Sequence, residues 1–253
     1  MPDTKICQGC KDGAAFPVEF TMAFHPIIDL PRQRIWGYEA LVRGREGQSA
    51  WSILSAVTDE NRYAFDQACR VKAIDLAGEK LKGDARLSIN FMPNAVYEPR
   101  ACIRASLAAA ARAGFNPNRI MFEFTENEQM TDIAHVSKII EAYKHIGFIT
   151  AIDDFGAGFA GLNLLSMLEP DVIKIDMELV RNIDSHARRH AIVSGIATIG
   201  RDLGLTIIAE GIERHAERQA LADLGITLFQ GYLFARPQLE TFSMLDEIEG
   251  LAA

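Results

Sequence analysis

The sequence predicts an α/β fold: a (β/α)8 barrel in which one strand runs antiparallel to the rest. Three observations lead there. Eight short apolar, β-branched segments recur along the 253 residues, and from the second onward they alternate with helix-like segments, the pattern of a parallel sheet with helical crossovers. The first two segments are joined only by Leu30-Pro-Arg-Gln-Arg34, too short for a crossover helix, so they pair antiparallel. Eight strands in a chain of 253 residues fit a closed barrel better than an open sheet.

Taken in order, the candidate strands are 20–28, 36–42, 86–91, 120–124, 148–153, 172–175, 206–209 and 228–229. Helix 63–81 shows a stripe of Phe65, Cys69, Ala73, Ala77 and Leu81, each four residues apart, which makes Cys69 a core residue. Helix 103–113 contains the Ala108–Ala111 run of strong helix formers, with Cys102 as a structural residue at its opening. Helices 133–146, 190–203 and 216–224 complete the alternation. No linker rich in Pro, Gly or Ser divides the chain, so residues 17–253 read as one domain behind a tail, 1–16.

The charge balance is 26 basic against 34 acidic residues, a net −8. That argues against a sequence-independent grip on long DNA or RNA, which needs clustered Lys and Arg. No segment approaches the ~20 apolar residues of a membrane span, and the polar start, residues 1–11, carries no secretory signal. The expected location is the cytoplasm. Cys7-Gln-Gly-Cys10 is compatible with a redox pair, with half of a Zn²⁺ site lacking a second CxxC or CxxH, or with an inert terminal segment.

In such a barrel the informative residues are polar ones at the C-terminal ends of strands, which share one mouth. Here those are Glu39, Asn90, Glu123 with Glu126, Asp153 with Asp154, Lys174 with Asp176, Glu210 with Glu213, and Gln230. Acids gathered this closely raise one another's pKa or require a counter-cation, and Lys174 alone cannot balance them. One or two hard divalent ions, Mg²⁺ or Mn²⁺, resolve the conflict. The adjacent Asp153-Asp154 pair suits a two-metal arrangement of the kind that hydrolyses phosphoesters. Gly156-Ala-Gly158 after the pair is a turn that lets backbone approach a ligand, and Arg43 fits either a phosphate fork or a surface ion pair.

With these residues in view, the chain resembles the EAL domain family of cyclic di-GMP phosphodiesterases. The resemblance rests on Glu39-Ala-Leu-Val-Arg43, Ser88-Ile-Asn-Phe91, Phe122-Glu-Phe-Thr-Glu126, Asp153-Asp-Phe-Gly-Ala-Gly158, Ile173-Lys-Ile-Asp176, Ala209-Glu-Gly-Ile-Glu213 and Gln230-Gly-Tyr-Leu-Phe-Ala-Arg-Pro237, across roughly residues 20–245. It implies a modified, TIM-like (β/α)8 barrel that hydrolyses cyclic di-GMP to linear pGpG. It places Glu39, Asn90, Glu123 and Asp153 around one metal ion, with Asp153, Asp154 and Glu210 near a second. Lys174 falls where the family positions or deprotonates the attacking water, and Glu210 is the competing general base. Glu126 matches the glutamate that steadies the loop after the fourth strand, and Glu213 an outer supporting acid. Leu41, Arg43 and Gln230 match substrate-side positions. The resemblance also implies a homodimer through the apolar region around 158–170, with packing of that segment onto the barrel as the simpler alternative.

Two departures stand out. His25-Pro26 replaces the usual Gln-Pro, and Ala157 stands where Thr is common. The rival readings are a catalytically weak cyclic di-GMP receptor on the same fold with a regulatory CxxC, and an enolase-type barrel using Lys with Mg²⁺.

Overall fold

In the computed structural model, residues 16–96, 98–125, 132–158 and 161–251 are described. Cys7, Cys10 and Glu126, named above for the tail and the loop after the fourth strand, lie outside them. Strands β1 (Phe20–Asp29) and β2 (Arg34–Gly44) pair antiparallel from Phe20↔Gly44 to Asp29↔Arg34, as the short turn requires. Strands β3 (Arg86–Asn90), β4 (Ile120–Thr125), β5 (Ile149–Phe155), β6 (Val172–Ile175), β7 (Thr206–Ala209) and β8 (Leu228–Phe229) follow in spatial order, each parallel to the last. β8 then pairs antiparallel with Ile28 and Asp29 of β1, which closes the barrel. The fold is therefore the (β/α)8 barrel with one reversed strand. A ninth strand, β9 (Gln238–Leu239), pairs with Ala23 and Phe24 of β1 beyond the reach of the short β8; the sequence reading contained no such strand.

The helices are α1 (Ala50–Leu54), α2 (Arg62–Lys80), α3 (Pro99–Cys102), α4 (Arg104–Ala113), α5 (Ile133–Ile146), α6 (Gly161–Met167), α7 (Met177–Val180), α8 (Ala187–Leu203) and α9 (His215–Asp223). The stripe predicted for α2 is buried throughout, Cys69 included. Cys102 is also buried, but it closes α3 rather than opening the Ala-rich helix α4. α2 and α4 pack closely at Gly78, where a Cβ would collide with Ala113. Asp132 caps α5 by accepting from the His135 backbone N–H at 3.0 Å, and Gly147 ends it.

Strand alternation divides the apolar residues in two. One set, including Phe122, Phe124, Ile152 and Ile173, faces outward under the helices. The other forms a separate plug inside the barrel: Ile27, Trp36, Met121, Ala151, Val172, Ile208 and Leu228. Burial of each large plug side chain contributes about 1.5–3 kcal/mol, and the plug floors the polar mouth above it.

Candidate metal centre at the barrel mouth

The strands deliver the polar side chains by parity. Successive residues alternate faces, so Ser88 and Asn90 share the inner face of β3, while Glu39, Glu123 and Lys174 point inward from β2, β4 and β6. Asp153 and Asp154 break the rule. Consecutive residues on a regular strand face opposite ways, but the β5–β6 register shifts between Ile152 and Phe155, and Asp154 sits at φ 52°. This irregularity turns both carboxylates toward the mouth. β5 continues past the predicted end at 153, because Phe155 pairs with Ile175 beyond the irregularity. Glu210 and Gln230 follow the ends of β7 and β8, and Gly211, at φ 66°, leaves no room for a Cβ against Met177.

Lys174 is the hub. Its ammonium Nζ lies 2.6 Å from Glu210 Oε1, 3.0 Å from Asp153 Oδ1, 3.1 Å from Glu123 Oε2 and 3.7 Å from Glu39 Oε2. The Asn90 amide donates to Glu39 Oε1 and Glu123 Oε1, both at 3.1 Å. Ser88 Oγ donates to Glu123 Oε2 at 2.6 Å, and Gln230 Nε2 to Glu39 Oε2 at 3.1 Å. Gln230 also approaches the His25 carbonyl at 3.4 Å. His25 itself faces the Ala235 carbonyl through Nε2 at 3.1 Å, so that nitrogen carries the proton. Burial, chiefly, keeps the imidazole pKa below its usual value, despite the opposing pull of Glu39.

The electrostatics follow from crowding in a dry site. Burial, then for Glu123 the charges of Glu39 and Asp153 and for Glu210 that of Asp153, holds both carboxyls well above the usual carboxylate range, against the pull of Lys174. Burial also pushes Glu39 upward, but Lys174 and His25 outweigh it and hold it low. Asp154 is pushed up to about 6 by burial and by Asp153 and Asp176. Burial disfavours the charge on Lys174, yet the surrounding acids outweigh it and keep the ammonium protonated.

This donor set fits hard divalent cations. It offers carboxylate and amide oxygens with no sulfur. Oxygens of Glu39, Glu123 and Asp153 lie within 4.8 Å of one another, as do those of Asp153, Asp154 and Glu210. Asp153 belongs to both groups, and its buried Oδ1 has no hydrogen bond, only the ionic contact with Lys174. Asn90 turns its NH₂ to both carboxylates; to ligate a cation it would present Oδ1 instead.

Two cavities meet at this cluster. One of about 290 Å³ is lined by Asp154, Glu210, Glu213, Gln230, His25 and Tyr232. The other, about 640 Å³, is lined by Leu41, Arg43, Leu54, Arg62, Phe65 and Asn94 among others, and both include Glu39 and Asp153. The three substrate-side positions therefore divide: Leu41 and Arg43 line the larger cavity, whereas Gln230 sits among the acids. Arg43 Nη1 donates to the Val42 carbonyl at 2.7 Å. Glu213 is exposed at the rim, where its backbone N–H donates to Glu217 at 3.2 Å. The sequence marks Ser88 only within the Ser88-Ile-Asn-Phe91 motif; its parity with Asn90 on β3 is the signal that places it at the site. In the 158–170 region, Leu162 and Met167 are exposed while Leu164 and Leu168 are buried.

A family model described as the EAL domain matches residues 17–237. The blue light- and temperature-regulated antirepressor BluF of Escherichia coli (strain K12) is 34% identical over 217 residues, 86% of this chain and 54% of that protein. The cyclic di-GMP phosphodiesterase PdeF of the same organism is 32% identical over 65% of this chain and 22% of its own length. The chain thus spans about half, or less, of the length of these curated relatives. Among solved structures, a standalone versatile EAL protein from Vibrio cholerae O395, in its c-di-GMP bound form, superposes with a TM-score of 0.87 at 48% identity, over 90% of this chain and 96% of that one. The Klebsiella pneumoniae BlrP1 manganese/cy-diGMP complex at pH 9.0 gives a TM-score of 0.83 at 36% identity, over 90% of this chain and 58% of that one.

Proposed function

This chain belongs to the EAL domain family, and from that premise we propose that it is a metal-dependent phosphodiesterase that opens cyclic di-GMP to linear pGpG. The observation that supports this reading is the complete ring of Glu39, Asn90, Glu123, Asp153, Asp154 and Glu210 around Lys174 at the strand ends. These are the acids and the Lys that metal-dependent phosphodiester hydrolysis uses, which favours turnover over binding alone.

Glu39, Asn90, Glu123 and Asp153 would hold one ion, and Asp153, Asp154 and Glu210 a second. Divalent ions of the Mg²⁺ or Mn²⁺ kind supply Lewis acidity, neutralising a phosphodiester and acidifying water. Lys174 Nζ holds the Glu210 carboxylate and donates toward the attacking water. Glu210 accepts the water's proton at a carboxylate oxygen. Arg43, on the side of the larger cavity, meets a phosphate or base edge of the substrate, with Leu41 packing beside it. Gln230 fixes Glu39, and Glu213 supports the rim. The net charge of −8 suits a small dinucleotide received by cations, not a long polyanion. Among the described residues no helix is long and apolar enough to cross a membrane. The exposed Leu162 and Met167 of α6 support a homodimer through this region, and Cys7 and Cys10 a secondary Zn²⁺ or redox role.

The test is incubation of the purified chain with cyclic di-GMP and Mg²⁺ or Mn²⁺, followed by chromatography of the products. The expected product is pGpG, absent when EDTA is added. Binding without turnover favours the receptor reading. Neither binding nor turnover overturns both.

A further inference from the structure

A second buried charge cluster lies beside the site, where Asp66, Phe91 and Met92 help line the larger cavity, and it has no part in the chemistry above. Asp66 and Arg70, one turn apart on α2, are both buried, and Arg70 Nη2 lies 2.5 Å from Asp66 Oδ2. Arg70 Nη1 donates to the Tyr143 hydroxyl of α5 at 2.8 Å. Its guanidinium lies 5.2 Å from the centre of the Phe91 ring and 5.3 Å from that of Phe122. The other Asp66 oxygen, Oδ1, accepts from the Met92 backbone N–H at 2.9 Å.

Those partners flank the site. Phe91 follows Asn90, Phe122 precedes Glu123, and the Phe91 N–H donates to the Glu123 carbonyl at 2.9 Å. By strand parity the rings face outward while Asn90 and Glu123 face the mouth. A displacement of either ring is thus transmitted through one residue of backbone to a mouth side chain. Burial stability alone is a poor reason for such a pair, because apolar replacements of buried ion pairs are often neutral or stabilising.

We propose that Asp66, Arg70 and Tyr143 form a positioning device that fixes the end of β3 against β4, and so sets Asn90 and Glu123 in the geometry that holds a divalent cation. The inference rests on the metal reading above for its consequence but not for its geometry. Groups behind metal ligands commonly tune affinity by about 10- to 100-fold.

The experiment uses the whole chain and the variants Asp66→Asn and Tyr143→Phe. Mn²⁺ binding is measured without substrate, by the electron paramagnetic resonance signal of free Mn²⁺. The Asn90 side-chain amide resonance, assigned by its loss in Asn90→Asp, is followed in metal-free protein. Asp66→Asn is expected to weaken Mn²⁺ about tenfold and to shift the Asn90 amide. Tyr143→Phe, which keeps the ring and removes one acceptor, is expected to weaken Mn²⁺ about two- to fivefold with a smaller shift. Val193→Ala, a buried position in α8 away from this network, is expected to lower the melting temperature without either effect. Wild-type Mn²⁺ affinity and an unmoved amide in the folded variants overturn the proposal; if Asp66→Asn does not fold, Tyr143→Phe decides. If the wild-type chain itself binds no Mn²⁺, the metal reading fails, and the amide shift alone judges the positioning role.

Discussion

Inside the barrel, the apolar plug and the charged mouth are one pleat apart on the same strands. Met121 stands two residues below Glu123, Ala151 below Asp153, Val172 below Lys174, Ile208 below Glu210 and Leu228 below Gln230. That step is about 6.6 Å along a strand. Backbone, direction and inward orientation are shared; only side-chain identity changes. The lower layer is a packing problem solved by volume. The upper layer gathers charges that burial opposes, tolerated because Lys174, Asn90, Ser88 and Gln230 pair with them. Parity thus tells which residues look inward, and identity tells which inward layer serves stability and which serves chemistry.

The largest expected effect that tests this division lies in the upper layer. Asp153→Asn or Glu39→Ala should lower hydrolysis of cyclic di-GMP by at least about a hundredfold, with circular dichroism and cooperative unfolding retained. Turnover near the wild-type rate in either variant would remove the site from the mouth. Next come the plug variants Met121→Ala and Leu228→Ala. Urea denaturation should show a loss of about 2–5 kcal/mol, while kcat per folded molecule stays near wild type. Ser88→Ala sharpens the boundary, because Ser88 is a small residue serving the upper layer. Removal of its hydrogen bond to Glu123 should cost about 1 kcal/mol and weaken Mn²⁺ about tenfold, both read by calorimetry.

The smallest effect is a pH slope. In the folded, metal-free chain Asp154 keeps its proton up to about pH 6, whereas unfolded aspartate releases it near about 3.9. The folded state binds that proton more tightly, so this contribution is full below the unfolded value and is lost as pH rises through the folded one. Melting temperature without metal should therefore fall across that window, and Asp154→Asn should flatten the slope. Because Mn²⁺ takes the ionised carboxylate, its stabilising effect should grow over the same range.

Much of this was legible in the sequence, for identifiable reasons. A five-residue connection cannot hold a crossover helix, so the direction of β1 was readable. Strand ends bearing acids one after another marked the mouth. β9 was not readable, since Gln238-Leu239 follows Pro237 and carries no β-branched or aromatic residue to mark a strand. From sequence, β5 ends at its acid pair, because the irregularity that aims both acids inward also breaks the alternation. Asp66 and Arg70, spaced i,i+4, look like an ordinary solvated ion pair on a helix; only the rings of Phe91, Phe122 and Tyr143 brought over them by the fold reveal their burial. Leu41 and Gln230 share a resemblance-based role, yet nothing in a linear string separates the two cavities they serve.

The reversal of β1 also decides how the molecule is wired. In a barrel of uniform strand direction the first strand starts at the floor, far from the chemistry. Here Phe20 pairs with Gly44 at the far end of β2, and Phe16 packs on Phe20 and Phe65, with Phe65 lining the larger cavity. Phe16 therefore sits at the mouth end of the barrel, beside the larger cavity. On the proposed function, a regulator joined before Phe16 would need no transmission through the barrel, because it would act directly beside the larger cavity.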